Sequence, residues 1–256
     1  MLDALYISAV GLQAQKAQLD AVAGNFANAG TTAYKRQGVD FAAALDRVAA
    51  AAGGGADTSP GSASAAGRVL RFDLAQGELR ATGRALDVAI AGAGFVEVEL
   101  DDGRVGYSRL GALQLSDDGL LTLPSGAPLK ADVRVPAGAT ALEIRPDGSV
   151  AARLDGDEEA SPLGEIELVQ FANPQSLVYR GEGVFVAREG AAEPLRARPG
   201  EDGGGRLMAG QLEGSNVRMV DEMVSLLLMQ RVYELNAKVV QAADELMGLT
   251  NNLRRS

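Results

Sequence analysis

Two pairs of neighbouring aspartates have a spacing that would let one carboxyl group act as an acid and the other as a base. The pairs are Asp101-Asp102 and Asp117-Asp118, and a glycine follows each pair directly. Asp-Gly is also the usual central pair of a type I′ hairpin turn. Because alternating apolar residues flank both pairs, we interpret them as turns between strands rather than as catalytic carboxylates.

Other candidate sites lack residues that their chemistry requires. The acidic run 155–159 is similar to a calcium-binding loop, but Ala160 stands where the loop needs glycine, and Glu165 comes one residue early. The run Gly92-Ala93-Gly94 leads into another strand pattern, whereas a dinucleotide-binding glycine motif must open a helix. The chain contains neither cysteine nor histidine. We therefore predict no catalytic residue, no cofactor and no metal site, and a protein that is not an enzyme.

The net charge of −10 is distributed unevenly along the 256 residues. Acidic and basic residues balance in 1–45 and in 216–256, so the whole excess of negative charge lies in 46–215. An acidic middle disfavours nucleic acid and anionic membranes as partners, whereas neutral ends can associate without long-range repulsion. The sequence also shows no apolar run long enough to cross a bilayer and no basic region of a cleavable signal peptide.

Four parts of the chain differ in composition and periodicity. Residues 1–45 and 210–256 carry helical patterns and are expected to form a core domain together. Residues 71–209 contain short alternating runs separated by Asp-Gly and Ser-Gly turns, which predict an outer β-rich domain. Residues 46–70 are a low-complexity connector. The expected fold class is α+β, with long N- and C-terminal α-helices packed as a coiled-coil-like pair and a central antiparallel β-domain.

Apolar residues recur with heptad spacing at both ends of the chain. The pattern by itself allows the two ends to pair within one molecule. A second apolar set on the C-terminal helix, Val220, Val224 and Leu227, is rotated from the first, so one partner helix cannot cover both sets. We therefore predict that other molecules cover this helix. The predicted assembly positions are Leu5, Leu12, Leu19, Phe26, Leu228, Val232, Leu235, Val239, Leu246 and Leu249.

Three motifs, in order along the chain, resemble those of bacterial flagellar rod and hook proteins. The first spans 25–36, where Ala33 replaces a glycine that the family usually carries. The second spans 87–95 and continues at 107–111, and the third spans 210–217 and continues at 230–238. The terminal positions that carry the resemblance are Asn25, Asn28, Thr31, Tyr34, Lys35, Arg36, Ser215, Asn216, Val217, Gln230, Tyr233 and Asn236.

The resemblance implies a structural subunit of the flagellar basal-body rod that polymerises helically through its terminal helices. Such a polymer would be a hollow shaft that transmits torque. The tail is most similar to that of the distal rod member, and a proximal rod or hook-type paralogue is the alternative within the family. From another class of protein, a ligand-binding or enzymatic β-domain with helical oligomerisation arms would share the same layout.

The resemblance also implies partners and a location. The partners would be further copies of the chain, neighbouring rod and hook proteins, the surrounding ring proteins and the flagellar export apparatus, with neither nucleic acid nor membrane insertion. The location would be the rod of the basal body where it crosses the periplasm, reached by type III export without a cleaved signal peptide.

Overall fold

A computed structural model of the chain describes residues 2–39, 70–131, 133–155, 159–188, 190–201 and 203–253. Within these ranges lie two α-helices, a 3-10 helix at Pro174–Ser176 and seventeen short strands. The helices are α1 (Leu2–Ala27) and α2 (Met219–Leu253). The strands are β1 (Gln37–Val39), β2 (Leu70–Phe72), β3 (Leu79–Ala81), β4 (Val88–Ala91), β5 (Val96–Glu99), β6 (Val105–Ser108), β7 (Gln114–Leu115), β8 (Leu121–Thr122), β9 (Ala139–Ile144), β10 (Ser149–Leu154), β11 (Ser161–Glu165), β12 (Leu168–Gln170), β13 (Leu177–Gly181), β14 (Val184–Ala187), β15 (Leu195–Ala197), β16 (Arg206–Ala209) and β17 (Gln211–Glu213).

The chain forms two compact units. The helical unit comprises 1–29, 36–73 and 217–256, and the β unit comprises 30–35 and 74–216. The chain therefore passes between the units four times, after residues 29, 35, 73 and 216.

In the helical unit, α1 ends where an asparagine satisfies a carbonyl group of the last turn. The backbone N–H of Asn28 donates to the Gly24 carbonyl at 3.1 Å, and its side-chain Nδ2 donates to the same oxygen at 2.9 Å. Further along, β1 pairs antiparallel with β2, with Gln37 opposite Phe72. Helix α2 carries Asp221 and Glu222 in its first turn, where the helix dipole favours negative charge.

The α+β class with a coiled-coil-like pair of terminal helices is a wrong prediction. Helices occupy both predicted stretches, but no coiled-coil pair is evident along the described residues, and most elements are strands in several small sheets. The heptad positions Leu19, Phe26 and Leu228 are 36%, 40% and 56% exposed, whereas α1 buries Val22 and Asn25 instead. The physical reason is that the buried side of α1 includes a polar side chain with polar partners, so a heptad seam does not pack this helix.

The β unit consists of several small antiparallel sheets. They are a four-stranded sheet β13-β14-β6-β5, a three-stranded sheet β11-β10-β9, and the pairs β12-β15, β16-β4, β17-β3 and β7-β8. The last strands of the unit pair with its first strands, because β16 lies beside β4 and β17 lies beside β3. The chain thus leaves the β unit close to where it entered.

The core of the β unit is aliphatic with an aromatic edge. Side chains on facing strands, such as Val98, Val150 and Leu168, are completely buried. On β5 the valines point inward and the glutamates outward, as expected for a strand with one buried face. The rings of Tyr107 and Phe171 pack edge to face with their centroids 4.8 Å apart.

Four turns of the β unit share one hydrogen-bond pattern. In each, the residue before a three-residue loop donates its N–H to the carbonyl of the residue after the loop. The carbonyl of that first residue accepts from the N–H of the loop glycine. Each glycine has a positive φ, between 74° and 90°. This is the three-residue hairpin loop with glycine in the left-handed position. The loops are 101–103, 117–119, 124–126 and 146–148.

The interpretation of the aspartate pairs as hairpin turns is confirmed, but the predicted turn type is wrong. A type I′ turn needs a positive φ at both central residues. Among the described residues with side chains, only Ala33 and Glu182 have a positive φ, so Asp102 and Asp118 do not fit that type. The third loop residue explains the difference, since it lets the glycine alone take the left-handed conformation.

Two of these glycines provide a matched pair for measuring what the turns contribute to stability. An alanine Cβ at Gly119 would lie 2.3 Å from the carbonyl oxygen of Val135, whereas nothing lies within 4 Å of one at Gly126. We expect Gly126→Ala to cost about 1 kcal/mol through backbone strain, and Gly119→Ala to cost at least about 2 kcal/mol because the carbonyl must also move. Urea unfolding of both variants checks this. Equal losses would show that the Val135 segment moves without cost.

The carboxyl group of Asp87, at the start of β4, is buried within a hydrogen-bonded cluster. It accepts from Thr82 Oγ1 at 2.5 Å and from Arg84 Nε and Nη2 at 2.9 and 2.8 Å. Burial raises the pKa of Asp87, but the hydrogen bonds from Arg84 and Thr82 and the charge of Arg84 outweigh it and lower the pKa below its usual value. The ionised form therefore stabilises the fold.

The lowered pKa of Asp87 predicts a stability change at acid pH. A carboxyl group with a depressed folded-state pKa stabilises above its unfolded pKa of about 3.9 and loses that contribution as pH falls through the folded value. Asp87→Asn should thus be less stable than the parent at neutral pH, with the difference shrinking below about pH 4. Urea unfolding across pH 2.5–7 (roughly the span of carboxyl titration) measures it. Parallel stability curves would contradict the assignment.

Candidate assembly surface

The side chain of Asn25 connects the end of α1 to strand β1. Its Oδ1 accepts from the backbone N–H of Gln37 at 2.7 Å, and its Nδ2 donates to the Gln37 carbonyl at 2.8 Å. This pair of bonds is the pair that a neighbouring antiparallel strand would make with Gln37. Because Asn25 is completely buried, it replaces water for both backbone groups of that residue.

A buried carboxylate connects the same region to α2. Glu222 lies in the first turn of α2, and its side chain is fully buried. Its Oε1 accepts from Arg36 Nε at 2.5 Å, and its Oε2 accepts from Asn25 Nδ2 at 3.4 Å. A buried carboxylate must keep such partners, since an unpaired one is strongly destabilising. The Glu222 cluster, which consists of Asn25, Arg36 and Glu222, therefore sets which side of α2 faces inward.

With Glu222 facing inward, the opposite side of α2 is apolar and exposed to solvent. At about 100° per residue, the exposed apolar positions cover more than half of the helix circumference. Their exposed fractions run from 40% to 71%. We call this set the assembly surface; it consists of Met219, Val220, Met223, Val224, Leu227, Leu228, Val232 and Leu235.

The described assembly positions predicted from the heptads lie on exposed surface. Leu228, Val232 and Leu235 belong to the assembly surface, and Leu19 and Phe26 are exposed on α1. The structure does not bring these two sets together as one seam. The remaining predicted positions lie outside the residues whose side chains are described; they are Leu5, Leu12, Val239, Leu246 and Leu249, together with Asn236 of the family motif.

Several of the other motif residues are buried or form hydrogen bonds with the backbone. Lys35 is buried, Asn28 closes α1, and the backbone N–H of Asn216 donates to the Tyr34 carbonyl at 3.3 Å. Thr31, Ser215 and Val217 are exposed or half-buried, whereas Gln230 and Tyr233 are exposed on α2. Part of the motif therefore holds the backbone in place near the passages between units, whereas its described α2 residues are exposed.

Four buried charged residues were not singled out from the sequence as site residues. They are Asp87, Arg109, Glu213 and Glu222, whose side chains are 0–4% exposed. Glu222 looked like an ordinary acidic residue in a first helical turn, and no local spacing marks Arg109 or Glu213 as buried. The only available signal is their position inside or beside the family motifs.

The described residues offer no arrangement suited to metal chemistry. Within the ranges above, no group of three or more His, Cys, Asp or Glu side chains is placed to hold a metal ion. In the same part of the chain, neither helix combines the length and apolar character needed to span a bilayer.

Two segments of the chain match known protein families, and the whole chain aligns with known relatives. Residues 208–253 match the family described as flagellar basal body rod FlgEFG protein C-terminal, and residues 89–152 match the flagellar hook protein FlgE/F/G D1 domain. A flagellar basal-body rod protein FlgG of Buchnera aphidicola is 32% identical over 254 residues, covering 96% of this chain and 98% of the relative.

Two further relatives align over nearly their whole length. A FlgG of Borreliella burgdorferi is 32% identical over 267 residues, covering 100% of both chains. A flagellar basal-body rod protein FlgF of Salmonella typhimurium is 32% identical over 265 residues, covering 98% of both.

Neighbouring residues on α1 test the role of the Glu222 cluster. Asn25→Ala removes both partners of the Gln37 backbone and one partner of Glu222, so we expect a loss of about 2–3 kcal/mol in unfolding free energy. Phe26→Ala, on the exposed side, should change stability by less than about 0.5 kcal/mol. Urea unfolding compares them, and similar losses for both variants would mean that Asn25 is not a structural anchor.

Proposed function

The chain belongs to the family of flagellar basal-body rod proteins and is a structural subunit of the rod, and we propose that it polymerises helically through the assembly surface of α2. The observation that carries this proposal is the exposed apolar side of α2, held outward by the burial of Glu222 on the opposite side. Contiguous apolar surface of this extent on a folded protein marks an interaction site.

The geometry of the surface favours a polymer over a closed dimer. An apolar surface that covers more than half of a helix needs more than one neighbour to bury it. When a surface on one copy contacts a different surface on the next, the contacts do not close, and a helical filament results. The residues of α1 exposed on the other helix, Leu19 and Phe26, are candidates for the receiving surface.

The distal part of the rod is the position that we propose for this subunit. Full-length relatives named FlgG support it, since they span 96–100% of the chain at about 30% identity. The relative named FlgF has a similar identity, so the proximal rod is the second candidate. A rod built in this way would be a hollow shaft that transmits torque.

Partners and location follow from family membership. The protein is part of the flagellum, and we propose that it contacts other copies of itself, neighbouring rod and hook proteins and the surrounding ring proteins. Its place would be the part of the rod that crosses the periplasm. We further propose that the flagellar export apparatus delivers the chain.

A charged substitution on the assembly surface tests polymerisation. Leu228→Asp places a charge where a neighbouring copy should bury it, at a cost of several kcal/mol per contact. We expect the variant monomer to stay folded, because Leu228 is 56% exposed, and rod assembly to be lost. Circular dichroism and electron microscopy of basal bodies from a complemented deletion strain measure the two effects.

The matched control is the same change on the β unit. Leu195→Asp alters a leucine that is 70% exposed on β15 and should leave assembly intact. Normal rods from Leu228→Asp would contradict the proposed role of α2, and loss of rods from both variants would show that the assay responds to charge alone.

A further inference from the structure

The carboxylate of Glu213, at the end of β17, is the centre of a second buried cluster. The Glu213 side chain has no exposed surface. Its Oε1 accepts from Lys35 Nζ at 2.6 Å and from the backbone N–H of Gly77 at 2.7 Å, and its Oε2 accepts from Arg109 Nε at 2.9 Å. We call these four residues the Glu213 hub.

The two cations of the hub are held by carbonyl groups as well as by Glu213. Arg109 donates through Nη1 to the Gly94 carbonyl at 2.7 Å and through Nη2 to the carbonyls of Ile90 and Gly92 at 3.0 Å. Lys35 donates to the Ala75 carbonyl at 2.7 Å. The hub therefore contains two buried positive charges and one buried carboxylate, and removing that carboxylate takes away a negative charge that both cations contact.

The hub joins segments that are far apart in the sequence. Lys35 and Glu213 are 178 positions apart, and Arg109 and Glu213 are 104 apart. Backbone bonds add to the same junction, since Ala33 N–H donates to the Glu213 carbonyl at 2.8 Å and Asn216 Nδ2 donates to the Ala75 carbonyl at 3.0 Å.

These segments lie beside three of the four places where the chain passes between the two units. The chain passes between units after residues 35, 73 and 216, and the hub binds Lys35, Gly77 and Glu213, which lie within four residues of those passages. One carboxylate thus contacts residues beside three of these passages. No two of the three passages are neighbours in sequence, so only the tertiary structure brings the partners of Glu213 together.

We propose that the Glu213 hub is a conformational lock that holds three passages of the chain, after residues 35, 73 and 216, in one arrangement, and that the lock closes only when the N-terminal segment carrying Lys35 has docked. Until then the carboxylate and the ammonium group remain hydrated, and the three segments move independently. The lock sets where the chain enters and leaves the β unit. Any effect of the lock on rod assembly rests on the proposed function, whereas the presence of the lock in the monomer does not.

Hydrogen–deuterium exchange on the full-length monomer of Glu213→Gln tests the lock. Glutamine keeps the shape and one acceptor oxygen but removes the charge that Lys35 and Arg109 share. We expect amides in the peptides around Ala33 and Gly77 to exchange at least about tenfold faster. The hairpin 139–154, which lies outside the hub, should keep its protection within about twofold.

A matched control separates the hub from ordinary ion pairs. Glu165→Gln makes the same change at a glutamate that is half exposed and paired with Arg198, and it should leave exchange at Ala33 and Gly77 unchanged. Acceleration at those amides in Glu165→Gln, or unchanged exchange in Glu213→Gln, overturns the proposal.

If Glu213→Gln unfolds throughout, a second variant tests the lock. Lys35→Met leaves Glu213 with Arg109 and the Gly77 N–H, so the β unit should fold while the segments at residues 35 and 73 become less protected. Faster exchange confined to 30–36 and 73–78 supports the lock, whereas uniform acceleration that includes 139–154 shows general stabilisation and overturns it. Because exchange is measured on monomers, failure of assembly through α2 would leave this result unaffected.

Discussion

Burial of two glutamate carboxylates is the constraint on which the rest of this structure depends. Glu222 and Glu213 have fully buried side chains, and each is held by donors from distant parts of the chain. Glu222 accepts from the Arg36 guanidinium and the Asn25 amide, whereas Glu213 accepts from two cations and a backbone N–H. A carboxylate without partners in such a site costs more free energy than a small domain can spare, so the partners must be in place for these regions to fold. Glu222 thereby orients the first turn of α2, and Glu213 holds segments of the β unit beside three passages between the units. The strands, sheets and turns of the β unit form an aliphatic core that supports the second of these sites.

The functional consequence follows from the orientation that Glu222 imposes. A helix whose polar residue is anchored inward must present its apolar residues outward, which is the reverse of the usual amphipathic helix of a soluble domain. We propose that other molecules cover this surface in the flagellar rod. On that proposal, buried charge secures the monomer and the exposed apolar surface is left for assembly.

Local features were predictable from the sequence, and features of packing were not. The Asp-Gly and Ser-Gly turns were predicted because glycine at a left-handed position is a property of a few neighbouring residues. The predicted turn type was wrong because the pair Asp102-Gly103 looks the same in the sequence whether the loop has two residues or three. The heptad pattern located the helices but not their packing, since Leu19 and Phe26 are exposed and Asn25 is buried. Periodicity reports which residues share a side of a helix, and it does not report whether that side faces its own chain or another molecule.

The sequence by itself determined the family, the positions of both helices, the turns of the β unit and the absence of cysteine and histidine chemistry. Each of these depends on residue type and near spacing, which the chain order records directly. Only the tertiary structure decided that Lys35, Arg109 and Glu213 meet, that Asn25 serves as a partner for the Gln37 backbone, and that α2 turns its apolar side to solvent. These contacts join residues from 12 to 178 positions apart. These contacts offset the cost of taking charged and polar groups out of water, and no residue reveals whether that cost is met until its distant neighbours are known.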